Sequence, residues 1–274
     1  MSARKTPVLN AARSDWAYFL DLDGTLVDIA ATPGAICVGE PLLLLLEQLR
    51  LSSGGAVALI SGRALSDLDQ HLGALRLPSA GQYGLERRDA AGRLWLHAPA
   101  PQAKQLLREA LQPWLARHSG LLLEDKGLTL ALHYRQAPRL AAQAHGIMAR
   151  LLARSGSELQ VHKGKYLVEA KPAGFDKGTA IAEYLAEPPY AGRRPVFIGD
   201  DLSDESGFAL VNQIQGISIK VGAGKSCAQH RLPDVAAVLD WLSGALSSTA
   251  SGEAARGRVE LTPSPGEESL GSAQ

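Results

Sequence analysis

Cysteine is nearly missing: Cys37 and Cys227 are the only two in 274 residues. They lie too far apart in sequence to make a disulfide framework or a structural zinc site, which fits a reducing cytoplasm. An excess charge of either sign is missing too, since 28 Lys and Arg balance 28 Asp and Glu. No global field then draws the chain to nucleic acid or to an anionic membrane surface, so any anion site has to be built locally. Long apolar runs are absent. The longest leucine run, Leu42 to Leu46, is far too short to span a bilayer. The first ten residues carry Arg4 and Lys5 with no apolar stretch behind them, so no secretory signal is expected. The seven histidines show no metal-ligand spacing, and no internal repeat is found. What remains, 46% hydrophobic and 20% charged residues, is the composition of a soluble globular protein. A cytoplasmic monomer is expected.

The stretch Tyr18-Phe-Leu-Asp-Leu-Asp-Gly-Thr-Leu-Val-Asp-Ile29 carries the first chemical signal. Its lead-in, Trp16 to Leu20, is apolar and aromatic and predicts a core strand. Asp21 and Asp23 follow at a spacing of two, which puts both carboxylates on one side of an extended chain. Two acids on one side repel, and a hard divalent cation relieves that repulsion. Gly24 supplies the freedom for a sharp turn, and Thr25 adds a hydroxyl.

Further along, strands and helices alternate. Glu40 to Arg50 predicts a helix with Pro41 in its first turn. Ala56 to Ile60 predicts a strand, Ala64 to Leu72 a helix, and Pro78 to Gly84 a short strand and turn. This is the pattern of a parallel α/β sheet with crossover helices. The middle of the chain differs. Gln102 to Ser119 and Pro138 to Ser155 are helical in pattern. Leu121 to Arg135 and Leu159 to Ala170 each read as strand, turn, strand, with turns at Lys126-Gly127 and Lys163-Gly164. Helix plus hairpin, occurring twice, predicts a compact α+β unit. The doubly wound pattern resumes with a helix over Lys177 to Leu185 and strands over Pro195 to Ile198 and Gly216 to Val221. The expected organisation is a discontinuous core over 1–98 and 173–246, an inserted α+β cap over 99–172, and a disordered tail over 247–274. The tail is read from its Ser, Gly, Glu, Thr and Pro content. Hinges are expected near Arg93 to Gln102 and Lys171 to Gly174.

Parallel sheets bind ligands beyond the carboxyl ends of their strands. There stand Asp21 and Asp23, then Ser61, then Gly199-Asp200-Asp201 with Asp204. Lys177 opens a helix, where backbone N–H groups also favour anions. Acids, one hydroxyl and one lysine at one sheet edge suit a metal and a phosphate. Taken singly, Ser61 also reads as a helix N-cap and the Asp200 cluster as a helix start. Gly222-Ala-Gly-Lys-Ser226 mimics the end of a P-loop, but position 219 is Ile where that motif needs Gly, so ATP binding is rejected.

Together, Asp21-Leu-Asp23-Gly-Thr, Ser61, Lys177 and Gly199-Asp-Asp-Leu-Ser-Asp204 resemble the four motifs of the haloacid-dehalogenase-like phosphatases. The resemblance spans the whole core. It implies that Asp21 is a nucleophile and Asp23 a general acid and base. It implies that Ser61 and Lys177 hold phosphoryl oxygens. Mg²⁺ is then held by Asp21, the Asp23 carbonyl and Asp200, with Asp201 and Asp204 behind them or holding Lys177. The Ser61-Gly-Arg63 segment, Glu124 with Lys126, His133-Tyr-Arg135, Gly164-Lys-Tyr-Leu-Val-Glu169 and Lys177-Gly178 resemble the trehalose-phosphatase family within that group. This implies trehalose 6-phosphate as substrate and a functional link to trehalose-6-phosphate synthase. Glu124, Lys126 and Glu169, with Arg63, then bind the substrate, because charged groups bond strongly to sugar hydroxyls. Tyr83 stands where that family usually carries His, and Ser203 where Thr is commoner. Another sugar-phosphate phosphatase or a phosphohexomutase of the same superfamily is the alternative, and a receiver-like module the non-enzymatic one. A receiver needs neither Asp23 nor the insertion.

Overall fold

A computed structural model describes residues 15–30, 32–97, 100–155 and 158–256. In chain order the first half runs β1 (Trp16–Leu20), α1 (Glu40–Ser52), β2 (Val57–Ile60), α2 (Leu65–Leu72), β3 (Ser79–Gly81), β4 (Glu86–Arg88) and β5 (Leu94–Leu96). An insertion follows: α3 (Pro101–Leu115), β6 (Leu122–Asp125), β7 (Leu130–His133), α4 (Ala141–Ser155), β8 (Leu159–Gly164) and β9 (Leu167–Pro172). The chain then returns through α5 (Lys177–Leu185), β10 (Arg194–Gly199), α6 (Glu205–Gln213), β11 (Ile217–Val221), β12 (His230–Leu232) and α7 (Val235–Arg256).

The larger sheet has the order β12-β11-β10-β1-β2-β3-β4-β5. It is parallel from β12 to β3, and β4 and β5 close it as an antiparallel edge. Its two faces explain the unbroken apolar run of β1. Tyr18 and Leu20 pack with Leu42, Leu46 and Leu49 of α1, Leu68 of α2 and Val238 of α7. Ala17 and Phe19 point the other way, onto Ile181 and Tyr184 of α5 and Phe208 of α6. A strand buried on both faces needs apolar side chains at every position rather than at alternate ones. Helix α1 meets that face through Leu42, Leu45, Leu46 and Leu49, the spacing of one helical stripe.

The insertion carries its own sheet, β6-β7-β9-β8, entirely antiparallel. Leu107 and Leu111 of α3 and Ala144 and Met148 of α4 cover it, packing on Leu130, Leu132, Val168 and Ala170 in a separate core.

Three expectations are corrected. The second hairpin turns at Lys165-Tyr166, two residues later than expected: Gly164 still pairs with Leu167, and Tyr166 adopts a left-handed φ of 63°. Helix α3 ends at Leu115, where Arg117 and His118 bond back to the Trp114 and Leu115 carbonyls instead of continuing to Ser119. Helix α7 runs to Arg256, into the stretch expected to be disordered. Its continuation Ser247 to Arg256 contains no proline to stop the helix, and ends on the helix formers Glu253, Ala254, Ala255 and Arg256. The remainder of that tail, 257–274, lies outside the described residues. Among the described residues, no helix is long and apolar enough to cross a membrane, and Cys37 and Cys227 are exposed and unbridged.

Candidate active site

Strand order brings the expected residues together. Strands β10, β1 and β2 are neighbours, so Asp200, Asp21 and Ser61 emerge side by side from their carboxyl ends. Lys177 joins them because α5 begins at the same edge. Asp176 caps that helix: its carboxylate accepts from the Thr179 N–H, and the Asp176 N–H donates to the Thr179 hydroxyl. Lys177, fully buried, then reaches Asp21 Oδ1 at 2.7 Å and Asp204 Oδ1 at 2.6 Å. Asp21 Oδ2 accepts only a long bond, 3.3 Å, from the Thr25 hydroxyl. The Ser61 hydroxyl, also buried, accepts the Arg63 N–H at 3.2 Å.

The acidic loop is shaped by its own carboxylates. Asp201 caps the short turn Leu202–Asp204, and Asp204 Oδ2 accepts the Asp201 N–H at 2.8 Å. Both Asp204 oxygens are thus engaged, one by Lys177 and one by this backbone. Glycines make room for the loop. A Cβ on Gly24, whose φ is +78°, would lie 2.2 Å from Asp200 Oδ2, and one on Gly199 would lie 2.3 Å from the Asp204 carboxyl carbon. Lys220 donates to the Asp200 carbonyl.

Oxygens of Asp21, Asp200 and Asp204 lie within 4.8 Å of one another. Burial pushes the Asp21 carboxyl well above its ordinary value; Lys177 opposes that, and Asp204 and Asp200 add to it. Burial also raises Asp200, against the ammonium of Lys165. Burial alone would lower Lys177, but Asp204 and Asp21 on either side outweigh it and keep it charged. The acids outnumber the buried cation between them. That is a donor set fitted to a hard divalent ion, which prefers carboxylate and carbonyl oxygen.

Asp23 does not share this cluster. Its carboxylate is gripped by Arg63, Nε to Oδ2 at 2.6 Å and Nη2 to Oδ1 at 2.7 Å, and the remaining Arg63 nitrogen bonds Asp67. Arg63, expected to bind substrate, therefore has its fork on Asp23 and Asp67. The reason is geometric, since a planar guanidinium matches a carboxylate two bonds at a time.

One cleft of roughly 1050 Å³, solvent mouth included, joins this edge to the insertion. Glu124, Lys126, His133 and Arg135 face it from the insertion. His133 Nε2 lies 2.6 Å from Glu124 Oε2. Burial works to raise the Glu124 carboxyl, but the His133 bond and the Lys126 charge outweigh it and hold it below the ordinary value. Glu169 was expected on this wall and is not there. It is fully buried, with Oε2 taking the Tyr83 hydroxyl at 2.8 Å and Oε1 the Thr129 hydroxyl and, at 3.3 Å, the Lys126 ammonium. A carboxylate can stay buried only when donors surround it, and here three do.

Lys165, Gln82 and Tyr83 were not assigned a role from sequence. Lys165 sits at the tip of the second hairpin and reaches from the insertion to Asp200 Oδ2 (2.9 Å), while its N–H donates to Asp201 Oδ2 (2.8 Å). Its place beside Gly164 in an insertion hairpin was the available signal. For Gln82 and Tyr83 the signal was their position between Gly81 and Gly84.

Comparison with known proteins agrees with this architecture. The sequence model of the family described as trehalose-phosphatase matches residues 19–235. The trehalose-6-phosphate phosphatase of Escherichia coli K12 is 43% identical over 239 residues, covering 87% of this chain and 88% of the relative. A probable trehalose-phosphate phosphatase of Sinorhizobium fredii is 41% identical over 251 residues, covering 92% and 89%. The solved C-terminal domain of the C. albicans trehalose-6-phosphate phosphatase shares the fold, with a TM-score of 0.78 at 22% identity, over 90% of this chain and 99% of that one. With the family match spanning the sheet edge, the insertion and the acidic loop, the chain belongs to the trehalose-phosphatase family.

Proposed function

We propose that the chain hydrolyses trehalose 6-phosphate to trehalose and phosphate, through a phosphoryl group carried on Asp21. The observation that carries this reading is the shared cleft: Asp21, Ser61, Lys177 and Asp200 line one side, and Glu124 and Lys126 face them from the insertion. An ester whose phosphate meets the first group presents its distal sugar to the second. The insertion over 99–172 then acts as a cap that selects the substrate, on a core formed by 1–98 and 173–246.

In the first step Asp21 Oδ2, the oxygen not bound to Lys177, attacks phosphorus. The bond from phosphorus to the sugar oxygen breaks, and that oxygen takes a proton from Asp23. In the second step water attacks phosphorus, its proton passes to Asp23, and the bond from phosphorus to Asp21 breaks. Splitting the displacement in two makes a weak nucleophile sufficient. Asp23 must come off the Arg63 fork to carry a proton, so Arg63 sets where Asp23 rests between turnovers. Lys177 and Ser61 orient the phosphoryl oxygens and offset their charge. Asp21, Asp200 and the Asp23 carbonyl would hold Mg²⁺, which supplies Lewis-acid stabilisation of charge on the phosphoryl oxygens. Asp201 and Asp204 shape the loop that carries Asp200. Glu124 and Lys126 bond hydroxyls of the distal glucose, and Glu169 holds Lys126 from behind. The ester is the product expected of trehalose-6-phosphate synthase, which places the two enzymes in sequence, and a monomer in the cytoplasm suffices for it.

The test is phosphate release from trehalose 6-phosphate, glucose 6-phosphate and sucrose 6-phosphate with Mg²⁺. Strong preference for the first, abolished in Asp21→Asn, is expected. Equal turnover of all three would leave a phosphatase but remove the cap assignment. Full activity of Asp21→Asn would remove the mechanism.

A further inference from the structure

Gln82 and Tyr83 are consecutive non-glycine residues with left-handed backbone, φ 47° and 62°. Such residues are uncommon and persist where surrounding contacts over-determine them. Their backbone N–H groups are held by the core, Gln82 by the Arg63 carbonyl (2.8 Å) and Tyr83 by the Ser61 carbonyl (2.9 Å), and the Gln82 amide nitrogen donates to Glu86 Oε1. The remaining side-chain bonds reach the insertion. Gln82 Oε1 accepts the N–H groups of Leu128 and Thr129, at 3.1 and 2.9 Å, in the turn between β6 and β7. The Tyr83 hydroxyl donates to Glu169 Oε2 on β9, and its ring lies 4.5 Å from that of His162 on β8. The Lys171 ammonium sits 4.8 Å from the centre of the same ring.

The fit against the core is equally close. A Cβ at Gly62 would meet the Tyr83 hydroxyl at 2.8 Å, and one at Gly81 would meet the Arg63 carbonyl at 2.9 Å. The circuit then closes on itself. Glu169 Oε1 holds Lys126, and Lys126 Nζ returns to the core at the Gly62 carbonyl, 3.2 Å away. Lifting the insertion from the core has to take a wholly buried carboxylate away from the tyrosine that satisfies it.

We propose that Gln82 and Tyr83 form a two-residue grip by which the core holds the insertion closed. Through Glu169, Tyr83 positions Lys126 against the sugar end of a large phosphate ester and so helps determine specificity. This rests on the phosphatase reading above. A small ester does not extend to Lys126, so the grip weighs on a disaccharide phosphate far more than on phenyl phosphate. A tyrosine that merely stabilised the fold would affect both esters alike.

The experiment compares kcat/KM for trehalose 6-phosphate and phenyl phosphate in the full chain, Tyr83→Phe, Glu169→Gln and the double variant. Loss of one bond to a buried carboxylate lowers the ratio of the two constants about tenfold in Tyr83→Phe, mainly through KM of the disaccharide ester. The double variant falls little further than the larger single one, since the two groups act as a pair. Equal losses for both esters, or additive losses in the double variant, overturn the proposal. Hydrogen exchange supplies a readout independent of turnover: the Leu128 and Thr129 amides exchange faster in Tyr83→Phe. If the wild-type chain hydrolyses neither ester, the phosphatase reading fails by itself. Exchange at those two amides then decides the grip, and unchanged rates overturn it.

Discussion

Gly24→Ala separates the strain of a turn from the crowding of a catalytic site. Gly24 has φ +78°, and an added Cβ would lie 2.2 Å from Asp200 Oδ2 and 2.5 Å from its carboxyl carbon. Ordinary contact begins near 3.4 Å, so the Asp200 carboxylate has to move by about 1 Å. Left-handed backbone costs a non-glycine residue about 1–2 kcal/mol, or roughly 2–4 °C in Tm for a chain of this size. The displacement acts on activity instead, where a misplacement of about 1 Å costs on the order of a hundredfold. Gly92 is the control. Its φ is +81° and nothing lies within 4 Å of an added Cβ. Gly92→Ala should show a similar fall in Tm with unchanged phosphate release. Gly24→Ala should add a large loss of kcat and a raised Mg²⁺ requirement, read from phosphate release across a Mg²⁺ titration. If Gly24→Ala keeps both kcat and the half-saturating Mg²⁺ concentration within twofold of wild type, the reasoning about Asp200 is refuted.

Two other perturbations follow from buried charge. Lys177→Met leaves Asp21 and Asp204 buried without the ammonium at 2.7 and 2.6 Å; about 3–5 kcal/mol is expected to be lost, with a larger fall in Tm in EDTA than in Mg²⁺, and equal falls in the two conditions would contradict the shared cation. Burial, reinforced by Lys171, pushes His162 from 6.5 down to about 4. Because the folded value is the lower one, the unfolded chain takes up the proton first. The contribution is complete above pH 6.5 and is lost as pH falls toward 4, by up to about 3 kcal/mol. Denaturant melts at pH 7.5 and 4.5 should show that slope, flattened in His162→Gln, and an identical slope in the variant would assign it elsewhere.

How much of this was legible in sequence depends on where the chemistry sits. Asp21, Ser61 and Asp200 each follow an apolar run, because a parallel sheet presents the groups that can meet a ligand at the carboxyl ends of its strands. Their residue types and positions could be read directly. That they line one cleft could not, since it requires β1 to lie between β10 and β2. That Lys177 opens a helix was readable, while the capping box that starts it, Asp176 closing on Thr179, came only with the structure. Strands β4, β5 and β12 have three residues each, too short for any period to emerge, and β4 reads Glu-Arg-Arg. They are strands because neighbours pair with them.

Arg63 and Glu169 show a different limit. Sequence placed both near the cleft, and both are near it. Orientation was the hidden variable. Arg63 turns its fork to Asp23 and Asp67, and Glu169 turns away from the cleft toward Tyr83, Thr129 and Lys126. Each choice was made by a partner from a distant part of the chain, 40 residues away for Asp23 and 86 for Tyr83. Local preference argued against the Gln82 and Tyr83 conformation, because left-handed backbone favours glycine. A sequence that sets Gln and Tyr there, between Gly81 and Gly84, gives up local fit. What those side chains gain is Leu128, Thr129 and Glu169 on the insertion. Departure from local preference therefore marks where the two units meet, just as the crowded acids of Asp21 and Asp200 mark where the phosphate is expected to bind.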